Sequence, residues 1–344
     1  MSPIRTWPLL MLVTTICYVV EAIDETAQAQ SDDLTEAWSK YDFIPGTPVL
    51  FYDDFSGERI GQQPMAWKLI EGKTEVMQFQ NQRWLHAIEA SFVAPQIAKL
   101  PSQFTLEMDF YVIPQGYSGS YRIDVYGQTD EDWVTLTIED LGVYFNTSSG
   151  IDLAHELELK GRHHLAMIAG EEGYKCYIDS LRIFEVTKLG NFRARDLELF
   201  MAGGEKEGDD KCMITDFKLA ATKSFRDQIE EQGKIISYGI VFVKGSAALA
   251  PQSTPTIKEL AKLLQADLGL NLSIECHVYE LADEGDNTRL SQQRAEALRE
   301  LLTSQYKINR ERLRTKGWGS AQPIKDKDTV VAHAANPRVE FVKR

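Results

Sequence analysis

The chain is poor in cysteine and in basic residues. It holds four cysteines among 344 residues, which excludes a small scaffold built on disulfides. Lysine and arginine number 37 against 51 aspartates and glutamates, a net charge of −14. Binding to nucleic acid needs a concentrated basic surface, so nucleic acid is excluded as a partner. Apolar residues make up 43 % of the chain, which excludes a largely disordered protein.

Long apolar runs are also missing, except near the N-terminus. After Arg5, an apolar run extends from Trp7 to Val20, and Ala27-Gln28-Ala29 follows with the small residues of a signal-peptide cleavage site. This pattern predicts a signal peptide over residues 1–29, and therefore export; a buried helix and an uncleaved anchor remain as alternatives. Residues 30–40 are predicted to be a flexible leader. No spanning helix is expected in the mature chain.

Three cysteines remain after the predicted cleavage, Cys176, Cys212 and Cys276. Export permits a disulfide, and Cys176 and Cys212 lie in strand-like segments of one region. Three buried free thiols are the alternative. The sequence leaves both open.

Residues 41–222 show the pattern of β-structure, because short β-rich runs alternate with turn clusters. We predict strands at Val49–Tyr52, Arg83–Ala87, Phe104–Val112, Ser120–Val125, Trp133–Ile138, His163–Ala169, Lys175–Ile178, Leu197–Met201 and Cys212–Leu219. Many short strands at close spacing are typical of an all-β sandwich.

Residues 223–344 show a different pattern, in which helical stripes alternate with strands. The predicted elements are strand Ile236–Val243, helix Thr256–Gln265, strand Leu272–Val278, helix Leu290–Leu302 with caps at 286–288, and strands Arg314–Trp318 and Arg338–Val342. The order β-α-β-α-β-β predicts an α+β domain with helices on one face of a mixed sheet. The whole chain is thus predicted to be multidomain.

The second region resembles the OmpA-like peptidoglycan-binding domain. The resemblance rests on Gly239 to Leu249, His277, the Asn-x-x-Leu-Ser-x-x-Arg-Ala pattern at Asn287 to Ala295, Gly317-Trp318-Gly319, and Asn336-Pro337-Arg338-Val339-Glu340. It implies non-covalent anchoring to peptidoglycan through the diaminopimelate residue of its peptide stem. It also implies a periplasmic protein associated with the outer membrane and the cell wall.

The resemblance also implies site residues. Arg294 matches the family arginine that takes the ligand carboxylate, and Asn287 and Leu290 belong to the same signature. The family aspartate that accepts the ligand ammonium is replaced by Tyr279, and Glu280 follows it. The departure leaves a second interpretation, an envelope scaffold whose domain has lost peptidoglycan binding.

Other acids of the same loop, Asp283 and Asp286, are further candidates for the missing charge. A structural role for Arg294, in a salt bridge on an exposed helix face with Glu296 or Glu300, remains the alternative to ligand binding. His277 is expected to be a hydrogen-bonding core residue, because no partner stands at metal-ligand spacing. For Arg338, a pocket charge and a role on the sheet surface are both open.

The first region resembles concanavalin-like, laminin-G-type modules. The resemblance rests on Phe51 to Gly57, Ile60-Gly61, Pro64, Trp67, Phe104 to Phe110, and Ile214 to Ala220. It implies a surface for binding a glycan or an envelope protein. Trp67, Trp84 and Trp133 are candidates for stacking on sugars, with core packing as the more frequent use.

Related hydrolases carry three carboxylates as Glu-x-Asp-x-x-Glu on one strand. This chain has Glu107 and Asp109 but Val112 at the third position, so no enzymatic activity is expected. The two acids are interpreted as the solvated face of an amphipathic strand. Asp53, Asp54 and Asp216 lack a tight calcium loop, so neither a metal nor another cofactor is expected.

Overall fold

A computed structural model describes residues 41–113, 119–129, 131–170, 173–187, 189, 192–202, 212–279, 283–324 and 335–344. The predicted signal peptide, the predicted leader and Glu280 lie outside the described residues.

The first region consists of strands joined by turns. They are β1 (Val49–Asp53), β2 (Trp67–Glu71), β3 (Thr74–Phe79), β4 (Gln82–Ala87), β5 (Ser91–Pro95), β6 (Phe104–Val112), β7 (Ser120–Tyr126), β8 (Trp133–Glu139), β9 (Gly142–Thr147), β10 (Asp152–Glu156), β11 (Gly161–Gly170), β12 (Gly173–Ile178), β13 (Leu181–Thr187), β14 (Asp196–Ala202) and β15 (Met213–Ala221).

These strands form two packed antiparallel sheets. Sheet A has the order β13-β12-β11-β6-β15-β4-β3, with β1 paired to β15, and sheet B has the order β10-β9-β8-β7-β14-β5-β2. Side chains alternate along β6, so that Phe104, Leu106 and Met108 enter the common core while Glu107 and Asp109 face outward. The predicted all-β sandwich is confirmed.

All nine predicted strands are present in this region, and the prediction missed β2, β3, β5, β9, β10 and β13. Two of the missed strands, β2 and β10, are the edges of sheet B. Outer strand β10 has no buried residue, and β2 buries only Trp67, so neither shows an alternation of apolar and polar residues.

The second region combines a sheet with helices. Its elements are α1 (Phe225–Gln232), β16 (Lys234–Ser237), α2 (Thr254–Ala266), β17 (Leu272–His277), α3 (Glu284–Ser304), β18 (Leu313–Gly319) and β19 (Arg338–Lys343). The sheet order is β16-β19-β17-β18, with β17 and β18 parallel and the other pairs antiparallel. A separate apolar core is shared by the helices and this sheet. The predicted α+β arrangement is confirmed.

Three details of this region differ from the predictions. Helix α1 was not predicted, because its apolar side consists only of Phe225 and Ile229. The first strand ends at Ser237, and the rest of the predicted run forms only an isolated bridge between Phe242 and Leu249. Helix α3 begins at Glu284, six residues before Leu290, because the Asp283 side chain accepts the Asp286 N–H as N-cap.

A short segment at the start of the described chain, which we call the strap (Tyr41 to Gly46), contacts both regions. Tyr41 and Phe43 pack on Tyr177 of sheet A. Ile44 packs against the apolar core of the second region. The strap therefore covers part of the outer face of sheet A at the seam between the two regions.

Candidate functional site

One face of α3 carries the residues that the resemblance implies. Asn287, Leu290 and Arg294 are spaced by three and four residues, so they share a helix side, and all three are buried. Arg294 is only 5 % exposed. The alternative of a salt bridge on an exposed helix face is therefore wrong.

The two acids proposed for that salt bridge have other partners. Glu296 accepts a hydrogen bond from the Gln292 amide at 2.7 Å. Glu300 pairs with Arg310 on the exposed side of the helix. These acids lie on a different side of α3 from the buried Arg294.

Arg294 is held by the irregular segment that follows β16. Its Nε donates to the Ser246 carbonyl oxygen at 2.8 Å, and its Nη2 donates to that of Val243 at 3.3 Å. The guanidinium carbon lies 4.8 Å from the centroid of the Phe242 ring. Two carbonyls and one ring fix the plane of the guanidinium before any ligand arrives.

Tyr279 lies just beyond β17, where the family has its aspartate. The Val278 N–H donates to the Gly319 carbonyl oxygen at 3.0 Å, which ties this segment to the end of β18. Burial raises the pKa of Tyr279, although nearby Arg338 opposes the shift. The phenol is therefore neutral near pH 7 and offers a dipole where the family has a full negative charge.

The other candidate acids of this loop have structural partners. Asp283 caps α3, and Asp286 pairs with Arg289 at 2.8 Å. The Glu284 carboxylate accepts the Ser320 N–H at 3.0 Å. Each of these carboxylates already stabilises the start of α3 or its contact with the turn after β18.

A buried polar network that the sequence did not reveal lies on the sheet beside this loop. Arg338 donates through Nε to Glu340 at 2.6 Å, and Lys234 donates to the same carboxylate at 2.8 Å. Burial raises the pKa of Glu340, but the hydrogen bond from Lys234 and the charge of Arg338 together lower it below its usual value. Arg338 is therefore not a sheet-surface residue; it is half of a buried ion pair, and its charge also acts on Tyr279.

His277 lies in the same network. Burial and the charge of Arg338 lower its pKa to about 4, so the ring is neutral at physiological pH. Its Nε2 lies 3.8 Å from Glu340, beyond hydrogen-bond distance. The predicted core position is confirmed. The predicted hydrogen bonds are not, because neither ring nitrogen has a hydrogen-bond partner among the described residues.

Two glycines bring β18 against α3. A Cβ added at Gly317 would lie 2.3 Å from the backbone nitrogen of Gln292, so no other residue fits at this distance. The Gly317 N–H donates to the Gln292 side chain at 2.8 Å, and the Gly319 N–H donates to the Ser291 hydroxyl at 2.9 Å. This contact fixes the position of the helix that carries Arg294.

The outer face of sheet B carries aromatic and charged side chains together. Phe92, Phe200 and Arg122 occupy neighbouring strands, and the Arg122 guanidinium carbon lies 5.4 and 4.9 Å from the two ring centroids. Next to them, buried Asp124 accepts hydrogen bonds from Arg122 at 2.8 Å and from Thr135 at 2.7 Å. A cavity of about 900 Å³ adjoins this face.

Sheet A carries an ionic network on its outer face. Glu107 pairs with Lys218 at 2.7 Å, and Asp109 accepts from Nδ1 of His164 at 2.6 Å and pairs with Arg162. Glu107 is only 9 % exposed. The interpretation of both acids as a solvated strand face is therefore wrong for Glu107.

The remaining candidates are structural in the described part of the chain. Cys176, Cys212 and Cys276 are free and buried, which favours free thiols over a disulfide. Trp67 and Trp84 are core residues, while Trp133 is half-buried on sheet B. Among the described side chains, no group of three or more acids, histidines or cysteines is arranged to hold a metal.

Asp53 and Asp216, two of the aspartates considered as calcium ligands, have protein partners. Asp53 accepts hydrogen bonds from the Phe55 N–H and from the indole N–H of Trp67, and Asp216 accepts one from the Tyr52 hydroxyl at 2.9 Å.

Within the described ranges, no helix has both the length and the apolar character needed to cross a bilayer.

Residues 241–337 match the family model described as "OmpA family". Outer membrane porin F of Pseudomonas aeruginosa is 25 % identical over 131 residues, which is 38 % of this chain and 37 % of that protein. The probable lipoprotein YiaD of Escherichia coli is 32 % identical over 102 residues, 30 % of this chain and 46 % of that protein. The chain thus spans less than half the length of these curated relatives.

The sandwich region has a counterpart among solved structures. The carbohydrate-binding module CBM66 from Bacillus subtilis is aligned over 45 % of this chain and 96 % of that module, with 13 % identity and a TM-score of 0.35. This similarity carries no information about a ligand.

The matched residues 241–337, which include α2, β17, α3 and β18, identify the C-terminal region as an OmpA family domain.

Proposed function

We propose that this chain is an exported envelope protein that anchors non-covalently to peptidoglycan through its C-terminal domain. The observation that carries the proposal is the position of Arg294, which the α3 signature places on a buried face with its guanidinium plane already fixed. A planar fork of N–H donors is suited to a carboxylate, here that of the diaminopimelate residue in the peptide stem. Asn287 and Leu290 form the adjoining part of the site.

The ammonium of the same ligand residue finds no carboxylate at Tyr279, and the hydroxyl of this tyrosine is itself buried beside Arg338. Glu280 is the nearest further carboxylate in the sequence. A charge-assisted contact contributes about 1.5–3 kcal/mol, whereas a neutral one contributes about 1 kcal/mol. We therefore propose a weaker attachment than a domain with the family aspartate would provide.

Replacing Tyr279 by aspartate should strengthen the attachment. The new carboxylate would meet the ligand ammonium, and we expect about tenfold tighter co-sedimentation of the full chain with insoluble peptidoglycan. Tyr279→Phe is the matched control, because it removes the buried hydroxyl without adding charge, and it should bind about as well as the parent chain. Unchanged binding in Tyr279→Asp would show that this position does not face the ligand.

A second outcome separates the scaffold interpretation from the anchoring proposal. If the parent chain does not sediment with peptidoglycan but Tyr279→Asp does, the fold has kept the cleft and lost its ligand. If neither protein sediments, the domain does not bind peptidoglycan through this loop. In that case an envelope protein becomes the partner to be sought.

The sandwich supplies a recognition surface in this proposal, and the outer face of sheet B is the part best suited to a glycan. Sugar rings stack on aromatic side chains, while their hydroxyls bond to carboxylates and guanidinium groups. Phe92, Phe200 and Arg122 lie together on this face. Glu198, on the same strand as Phe200, lines the adjoining cavity. Sheet A is less suited, because the strap covers part of it.

The sandwich proposal predicts a loss of glycan binding in Phe200→Ala. On a glycan array, the full chain should bind a defined set of oligosaccharides, and Phe200→Ala should bind them at least about tenfold more weakly. Phe79→Ala is the matched control, since Phe79 is a partly exposed aromatic residue on sheet A. Equal binding by all three proteins, or none by the parent chain, would contradict this role and leave a protein partner.

A further inference from the structure

A second cavity lies at the seam between sheet A and the C-terminal domain. Its volume is about 480 Å³, within the usual range for small-molecule sites. Sheet A supplies its floor through Glu107, His164 and Lys218, and the strap supplies one wall. The opposite wall belongs to the C-terminal domain and includes Val241 and Gln252.

The floor of this cavity carries opposite charges side by side. Lys218 Nζ lies 2.7 Å from Glu107 Oε1, and His164 Nε2 lies 3.8 Å from Glu107 Oε2. Burying such charges is costly unless they have further polar partners. An ammonium has three N–H donors and a carboxylate has about four acceptor positions, so this pair has capacity beyond its mutual contact.

The walls above the floor are mostly apolar and aromatic. Tyr41 and Phe43 of the strap form one end, and Val241 lies opposite them with a partly exposed side chain. Asp179 and Ser180 form a polar rim on the sandwich side. The cavity therefore offers a small dipolar floor, an acidic rim and an apolar wall in one space.

We propose that the seam cavity binds a zwitterionic α-amino acid with an apolar side chain. In such a molecule the ammonium and the carboxylate stand on one carbon, so both reach the floor together. The ammonium approaches Glu107 and Asp179, and the carboxylate approaches Lys218 and His164. The side chain lies against Tyr41, Phe43 and Val241, in contact with both the sandwich and the C-terminal domain.

A ligand in this cavity would contact both the sandwich and the C-terminal domain. Such a ligand stabilises the mutual position of the two regions, since it binds only when both walls are in place. The inference is independent of peptidoglycan anchoring, because none of the cavity residues belongs to the Arg294 site.

Calorimetric titration of the full chain with L-phenylalanine tests the proposal. We expect binding, and at least about tenfold weaker binding of 2-phenylethylamine and 3-phenylpropionate, each of which lacks one of the two charges. Maltose tests the alternative of a neutral saccharide. Binding of maltose, absence of L-phenylalanine binding at about 100-fold excess over the chain, or equal binding of the single-charge analogues would overturn the proposal.

Two variants locate the site. Lys218→Met removes the cation from the floor and should weaken L-phenylalanine binding at least about tenfold, whereas Lys262→Met, on the exposed side of α2, should leave it unchanged. Val241→Trp fills the cavity from the opposite wall without altering an ion pair, and it should abolish binding. Lys218→Met leaves Glu107 without its cation, and the variant could therefore fold poorly. In that case Val241→Trp decides the test, and unchanged L-phenylalanine binding by Val241→Trp would refute the site.

Discussion

Replacing Arg294 by alanine is expected to release the full chain from insoluble peptidoglycan. A guanidinium that forms two parallel hydrogen bonds to a carboxylate contributes about 1.5–3 kcal/mol or more, so its loss should weaken binding about 10- to 100-fold. The measurement is the fraction of protein that sediments with purified cell wall over a range of wall concentrations.

The same substitution should also lower stability, and this effect must be separated from ligand binding. Arg294 donates to the carbonyls of Ser246 and Val243 and packs on Phe242, so alanine removes all three of these contacts. Arg294→Lys keeps the positive charge but loses the planar fork; it should fold better than the alanine variant while still binding several-fold more weakly than the parent chain.

Arg289→Ala provides the control, because Arg289 is an exposed arginine on the same helix and pairs only with Asp286 among the described salt bridges. It should neither lower binding nor change the melting temperature appreciably. A folded Arg294→Ala chain that sediments as well as the Arg289→Ala chain would show that the guanidinium has only a structural role.

Replacing Gly317 by alanine should markedly lower the stability of the C-terminal domain. The added Cβ would lie 2.3 Å from the backbone nitrogen of Gln292, a distance at which α3 has to move away from β18. Overpacking of this kind costs about 1–3 kcal/mol and occasionally more, and the value should be at the upper end because the obstacle is backbone.

The measurement is the urea midpoint of the full chain, combined with hydrogen exchange of the amides in β17 and β18. Gly269→Ala is the matched control, since its new Cβ would meet only the Asp267 side chain at 3.5 Å. Gly317→Ala should also weaken peptidoglycan binding, because α3 carries Arg294. A midpoint equal to that of Gly269→Ala would mean that the close approach is not required.

Much of the fold was predictable because burial imposes a period on the sequence. Strand β6 alternates apolar and polar residues over its length, and α2 places Leu260, Ala261 and Leu264 on one side. Edge strands β2 and β10 escaped prediction because they bury one side chain and none, respectively. Helix α1 escaped because a single turn of apolar contact gives too weak a pattern.

The site was predictable only in part. The α3 signature indicated Arg294, Asn287 and Leu290 as candidate site residues. The tyrosine in place of the family aspartate drew attention to Tyr279. The buried pair of Arg338 and Glu340 gave no such signal, because charged residues two apart on a strand also occur on solvated faces. Burial of that pair depends on what packs over the sheet, which no local pattern records.

The sequence by itself determined two regions of different class, the order of their most strongly patterned elements and the helix that carries the candidate arginine, because each of these follows from residue spacing along the chain. Only the tertiary structure decided that Glu107 is buried, that the strap joins both regions, and that backbone carbonyls far from α3 in the chain hold Arg294. These features arise from contacts between distant segments, and hydrogen bonds or charges of that kind leave no periodic trace in the sequence.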